Sequence, residues 1–244
     1  MKHLWCLALA AALAGSTGYA ETLTREQIQQ RLASRPTDFT NLEAPGADLS
    51  GIDFGGATLF GANLKGANLS NAKLARCNLN VAILRDAILV NADLREAKLF
   101  SSILANADLS MADLRGAQLM GNFDHARLEG ANLEQVQGAA DMRNQPMGLV
   151  RLVLSGARLK GARLAHAKLS RADLSFADLR EADLTGVDLT KAKLTGVDFT
   201  GATLTDATFE GAEIHQATFK GVVGLQTVRG LDTAEGRDAA VFDQ

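Results

Sequence analysis

The sequence predicts an all-β solenoid, and three observations predict it. A Leu or Phe recurs every five residues with an Ala two places before it, as in Ala62-Asn63-Leu64-Lys65-Gly66 and Ala92-Asp93-Leu94-Arg95-Glu96. The two places after the Leu carry Gly, Asn and other residues that tolerate corner backbone. Pro36 and Pro45 precede the regular run and Pro146 falls in its one interruption, so a residue with no N–H is kept out of a hydrogen-bonded ladder. A helix would place apolar residues at i, i+3, i+4 and i+7, and a plain strand would alternate, so neither gives a strict five. Two apolar places, two apart, followed by a gap of three describe a short extended piece and a corner, repeated until neighbouring turns pair backbone to backbone. Ordering five residues costs more than burying one Leu returns, so no single turn is stable alone and both ends need caps.

In chain order, residues 1–20 (MKHLWCLALAAALAGSTGYA) have a basic start, an apolar run from Leu4 to Ala14 and small residues before Glu21. That is the pattern of a secretory signal peptide cleaved after Ala20, and the run is too short to cross a bilayer. The chain is therefore expected to be periplasmic or secreted, with no integral membrane segment after cleavage. Cleavage leaves 24 basic against 28 acidic residues and Cys77 as the one cysteine, so no internal disulfide is expected. Cys77 occupies an Ala place and reads as a small buried hydrophobe. Residues 21–41 form an N-terminal cap: Thr24 and Gln27 have capping-box spacing, and Leu23, Ile28 and Leu32 give a helix over 22–34 an apolar face to lay on the first coil. The first repeat run occupies 42–138, with fifteen units centred from Leu49 to Leu119 and Phe123, Leu128 and Leu133 following after a one-residue slip. Residues 139–150 interrupt it. A second run at 151–222 has fourteen units centred from Leu154 to Phe219. In the cap and tail at 223–244 the period is lost; Val222, Leu225, Val228 and Leu231 are expected to close the last coil before a mobile tail. Pairing of two rods into a homodimer through this end is left open.

The unit A(D/N)LXX, carried by Ala47-Asp48-Leu49-Ser50-Gly51, Ala67-Asn68-Leu69-Ser70-Asn71 and their successors across about 42–222, resembles the pentapeptide-repeat family. The resemblance implies a right-handed quadrilateral β-helix with four units per coil, the Ala and central Leu inward and the other three places outward. About eight coils at about 4.8 Å each would make a rod about 38 Å long. The best understood members of that family bind a type II topoisomerase by imitating the shape and charge of DNA.

Four units per coil would stack residues twenty apart. In the second run this sets Arg158 on Asp178, Arg163 on Asp183, Lys168 on Asp188 and Asp173 on Lys193, which predicts a ring of cross-coil ion pairs that fixes register. Such exposed pairs are worth only about 0–1 kcal/mol each. In the first run, apolar residues stand at outward places: Phe60, Phe100 and Met120 in one column, Ile83 and Ile103 in the next, Ile88 and Val90 on the adjoining face. They are expected to form an exposed apolar patch, which marks a contact surface. The alternative is internal cover by residues 139–150, whose Met142, Met147 and Leu149 are apolar.

Catalysis and cofactors are not expected. The three histidines left after cleavage have no metal-ligand spacing, and Asp residues recur wherever the repeat asks for Asp or Asn, so no carboxylate pair stands out. The near-neutral charge and the lack of Trp and Tyr after cleavage disfavour nucleic-acid binding. The expected function is a non-catalytic exported scaffold that binds an unidentified protein partner through a lateral face of the rod. The alternative is a DNA-mimicking binder of a type II topoisomerase (gyrase), as in some relatives; the leader and the Lys and Arg that interrupt the acidic columns argue against it.

Overall fold

The structure, a computed structural model, describes residues 23–34, 37–139 and 151–243. Residues 1–20, on which the expected signal peptide falls, and nearly all of 139–150 lie outside the described residues. The described chain is a stack of short parallel bridges. Asp48 pairs with Asn68, Asn68 with Ile88 and Ile88 with Asp108, and the units between them do the same. Residues twenty apart therefore lie one above the other, and each coil holds four units. Counting places from the central residue, Ala67, Asn68, Leu69, Ser70 and Asn71 stand at −2, −1, 0, +1 and +2. Places −2 and 0 fill the core, where Ala67, Leu69, Ala72 and Leu74 are fully buried. Four faces follow in chain order. Face one is centred on Leu59, Leu79, Leu99 and Leu119; face two on Leu64, Leu84 and Leu104; face three on Leu69 and Leu89; face four on Leu74 and Leu94.

Backbone accounting explains the composition of the unit. The Ala67 N–H donates round the corner to Leu64 O (3.0 Å), the Asn68 N–H to Ala47 O on the coil before (2.9 Å), and the Leu69 and Asn71 N–H groups to Ile88 O (2.6 Å) and Val90 O (2.9 Å) on the coil after. Only the +1 amide is left over, and the Ser70 N–H donates to Asn68 Oδ1 (3.1 Å). Every Asp or Asn at −1 among the described residues closes the same turn on the amide two residues later. The Asp or Asn of the repeat is thus a turn cap. Pro45 corrects the expectation that prolines stay outside the run. It stands within the first coil, at the +1 place whose amide has no backbone partner. Glu43, at −1 of that unit, pairs with Asn63 in the ladder and accepts from Asn63 Nδ2 (2.6 Å).

At the N-terminal end α1 (Arg25–Ala33) opens on a capping box: Thr24 Oγ1 accepts the Gln27 N–H (3.3 Å) and Gln27 Oε1 accepts the Thr24 N–H (2.7 Å). Its Ile28 is fully buried in the continuous core. Arg25 donates through its guanidinium to Asp48 O (2.9 Å) and Ser50 O (2.7 Å). One coil later the matching carbonyls, Asn68 O and Ser70 O, take the Leu49 and Gly51 amides from the coil before. Arg25 supplies the two donors that no earlier coil provides, and so closes an open sheet edge.

Two irregularities fall on one corner, between faces one and two. β1 (Lys98–Ile103) pairs with β2 (Gln118–Asn122), and Ile103 meets Asn122 nineteen residues on, because the step from Leu119 to Phe123 is one residue short. Gly121 takes the Ala place there, and a Cβ on it would collide with the Ser102 backbone. Ser102, buried at the Ala place below, donates its hydroxyl to Leu79 O (2.7 Å). One coil further, Gln137 pairs with Lys168, thirty-one residues on instead of twenty, so the register jumps by eleven residues between Gly138 and Leu152. Gly138 holds the central place without a side chain; a Cβ there would stand 2.8 Å from Leu152 Cδ2 and 3.1 Å from Leu169 Cδ2, so these leucines fill the space.

The C-terminal end differs from the expected loss of period and mobile tail. The period lengthens to six: Val223, Arg229, Glu235 and Val241 pair in parallel with Thr203, Thr208, Glu213 and Thr218. β3 (Thr218–Phe219) and β4 (Val241–Phe242) make the last of these contacts. The Phe199, Phe219 and Phe242 rings stack at 5.0 and 4.9 Å between centroids, so this wider coil extends the core to its end.

Candidate functional site

Outward places on this frame hold polar residues by default, so apolar residues there stand out. Phe60, Phe100 and Met120 occupy +1 on face one, and Ile83 lies directly beneath Ile103 at −1 on face two. Between the two columns, at the corner, stands Val81. Phe60, Val81, Ile83 and Phe100 are 36–46% exposed, while Ile103 and Met120 are half-buried. Asn80 interrupts the phenylalanine column, and its Oδ1 accepts the Phe100 N–H (2.9 Å). Val81 has φ 63°, a left-handed backbone that β-branched residues disfavour. The expected patch is divided: Ile88 and half-buried Val90 lie on face three, beyond the exposed Arg85 and Asp86, away from the other five residues. Val81 was not singled out from the sequence, although its spacing of two from Ile83 and twenty from Gly61 puts it on the same edge.

Charged side chains divide the rod differently. Among the described residues, the ion pairs within 4.0 Å lie on faces three and four and the corner joining them. Arg95 pairs with Asp93 (2.7 Å) and reaches Asp113 (3.8 Å), Arg115 pairs with Asp113 (2.6 Å), and Arg180 with Asp178 (2.6 Å). Lys73 pairs with Asp53, Arg127 with Asp108 and Lys160 with Glu181. The Arg95 and Arg180 guanidinium groups hold the Asp93 and Asp178 carboxyls below the usual carboxylate range. At Asp113 burial raises the pKa, but the hydrogen bonds and charge of Arg115 more than offset it, and the net direction is down.

The ring of cross-coil ion pairs needs correction in its contacts. The register is there: Arg158 lies opposite Asp178, Arg163 opposite Asp183, Lys168 opposite Asp188 and Asp173 opposite Lys193. The charged ends go elsewhere. Arg158 turns to Glu129 (2.7 Å) and Arg163 to Glu134, both at +1 on the coil before. Asp178 is taken by Arg180, and Asp173, Asp183 and Asp188 close turns on Ser175, Thr185 and Thr190. A short carboxylate held in its own turn points along its strand, so the long side chain opposite reaches the more extended glutamate instead. No ion pair within 4.0 Å involves Lys168 or Lys193 among the described residues.

The remaining candidates have structural explanations. Cys77 is buried, its thiol donates to Phe54 O (3.2 Å), and burial pushes its pKa up to about 11, which leaves it unreactive. Phe176 and Met111, exposed at corners, lie over Gly196 and Gly130 of the next coil, as His125 and His166 lie over Gly156 and Gly186. At these four corners a large residue is matched by a glycine above it. Among the described residues no group of three His, Cys, Asp or Glu side chains is arranged to hold a metal, and no helix is long and apolar enough to cross a membrane.

The family model for pentapeptide repeats matches residues 37–74, 62–99, 99–136, 149–186 and 182–221. Among solved structures, the chain is similar to HetL, a pentapeptide repeat protein involved in heterocyst differentiation regulation in the cyanobacterium Nostoc sp. strain PCC 7120. The two are 28% identical over 90% of this chain and 99% of that one, with a TM-score of 0.46. It is also similar to QnrB1, a plasmid-mediated fluoroquinolone resistance protein, at 19% identity over 77% of this chain and 92% of that one, TM-score 0.47. Rfr23 from the cyanobacterium Cyanothece 51142 is 28% identical over 49% of this chain and 90% of its own, TM-score 0.26. No curated protein sequence matches the chain.

Proposed function

The chain belongs to the pentapeptide-repeat family, and on that premise we propose that it is an exported, non-catalytic scaffold, a right-handed quadrilateral rod that holds a partner protein along the edge between faces one and two. The observation that carries this reading is the apolar edge itself. Phe60, Val81, Ile83 and Phe100 stand in water at places the repeat gives to polar residues, and Val81 keeps an unfavourable backbone to do so. The left-handed backbone belongs to the corner place throughout the stack, so what sets Val81 apart is a β-branched, exposed side chain at that place. Contiguous exposed apolar side chains are the common mark of a protein contact. In this reading the leader at 1–20 is removed after Ala20 and the rod works in the periplasm or outside the cell.

The competing reading, a DNA-mimicking topoisomerase binder, needs unbroken columns of negative charge. Here the carboxylates of faces three and four are interleaved with Arg95, Arg115, Arg158 and Arg180, which pair with them.

Replacing Phe100 or Ile83 with Lys tests the proposal. Both variants should keep the wild-type circular dichroism and urea midpoint and lose capture of the partner from an envelope extract. Loss of folding instead would make these residues internal core and sink the reading. Intact-mass analysis of separated cell fractions tests export: a chain starting at Glu21 in the periplasm is expected, and an unprocessed cytoplasmic chain would redirect the search to topoisomerases.

A further inference from the structure

Beyond the apolar residues the same corner changes character. Arg151, Arg171 and Lys191 occupy its +2 place on three successive coils, one above another at about 4.8 Å per coil. Arg171 and Lys191 have the left-handed corner backbone, at φ 62° and 57°. Among the described residues no carboxylate lies within 4.0 Å of any of the three cations, whereas Arg95, Arg115, Arg127, Arg158, Arg163 and Arg180 on faces three and four each have one. With Lys193 they line a shallow groove that Gly211, Glu213 and Glu235 close at its C-terminal end. Asp173 stands beside Arg171, but its Oδ1 accepts the Ser175 N–H (3.1 Å) and hydroxyl (2.7 Å), so it is committed to its own turn.

Extending the proposed function, on which it rests, we infer that this cation ladder receives a short acidic segment of the same partner whose apolar residues dock on Phe60, Val81, Ile83 and Phe100. Three like charges stacked with no carboxylate within 4.0 Å among the described residues repel one another, and a segment with carboxylates spaced about one helical turn, 5.4 Å, matches their spacing. Length selects the class of ligand. The ladder is about 10 Å long between its first and third coils, and Glu213 and Glu235 follow it, so a long polyanion running past Lys191 meets repulsion. A nucleic-acid strand or an anionic lipid surface does not end after three charges; a cluster of Asp and Glu in a protein does.

The test uses the full chain, a short fluorescent peptide bearing three glutamates one helical turn apart, and its glutamine counterpart, followed by anisotropy at low salt. Saturable binding of the glutamate peptide alone is expected. It should weaken about tenfold in Arg171→Glu/Lys191→Glu and stay unchanged in Arg76→Glu/Lys220→Glu, which makes the same charge change away from the ladder, at the corner between faces four and one and on face three. Equal binding by both double variants would overturn the assignment, as would stronger binding of single-stranded DNA or phosphatidylglycerol vesicles than of the peptide. Phe100→Lys separates the two readings. If Phe100→Lys abolishes partner capture while Arg171→Glu/Lys191→Glu retains it, the apolar edge stands and the ladder falls; if neither variant affects capture, both fall.

Discussion

Faces three and four and the edge between faces one and two are made from the same five-residue unit, yet they use its outward places in opposite ways. On faces three and four a carboxylate at −1 caps its own turn, and an arginine two residues on, or on the next coil, pairs with it, as at Asp93–Arg95–Asp113 and Asp178–Arg180–Asp198. Most charges of these faces pair internally, although Ile88, Met111 and, at the corner leading into face three, Phe176 stay exposed. The edge between faces one and two carries exposed Phe and Ile, a valine at a left-handed corner, cations with no ion pair within 4.0 Å among the described residues, a corner one residue short and a register jump of eleven residues. A solenoid fixes its core with two places in five and leaves three for the surface, so a region where those three are not satisfied internally is where a partner is expected.

The two regions should respond differently to perturbation. Gly121→Ala, at the short corner, forces a methyl group into the Ser102 backbone and should cost about 1–3 kcal/mol, read as a lower urea midpoint; Gly116→Ala, whose Cβ would meet only Glu96 Cγ at 3.7 Å, keeps the stack together and suffers only the left-handed strain. Acidification acts on faces three and four. Their Asp93, Asp113 and Asp178 have lowered pKa values in the folded chain, so the stability they contribute is present above the unfolded carboxylate pKa and is lost as pH falls through the folded values. Thermal midpoints should drop below about pH 4, and replacing those three residues with Asn should flatten the drop. Asp113→Ala removes a turn cap and should cost about 1 kcal/mol, while Asp113→Asn keeps the cap and loses only the surface pairing. Val81→Asn relieves the corner and should gain up to about 1 kcal/mol, with loss of partner capture; a destabilised Val81→Asn would mean the valine packs internally.

Much of this frame is legible in the sequence, and what was missed has physical causes. The Leu and Ala periodicity reports burial at 0 and −2, and twenty-residue stacking then places every outward residue. The role of Asp and Asn at −1 was hidden because it depends on the one amide without a ladder partner; once that is known, Pro45 at +1 beside Glu43 is consistent. The ion-pair ring failed on reach, not on register, since Asp183 and Asp188 are held in their turns while Glu129 and Glu134 extend further. The last coil keeps a readable signal, Gly224, Gly230 and Gly236 at six-residue spacing, which a search for fives passes over. Arg25 bonding to the Asp48 and Ser50 carbonyls has no local pattern, because it depends on which groups an absent coil leaves open. Of the apolar residues, Phe60, Ile83, Phe100, Ile103 and Met120 share an edge, whereas Ile88 and Val90 do not, because a charged corner separates adjoining faces.

The most direct test of the central claim is photocross-linking in the cells that make the protein, with a benzophenone side chain placed at Phe100 or at Arg115 of the full chain. The account predicts a discrete cross-linked protein from Phe100 and none from Arg115. The same product from both places, or from Arg115 alone, would contradict it.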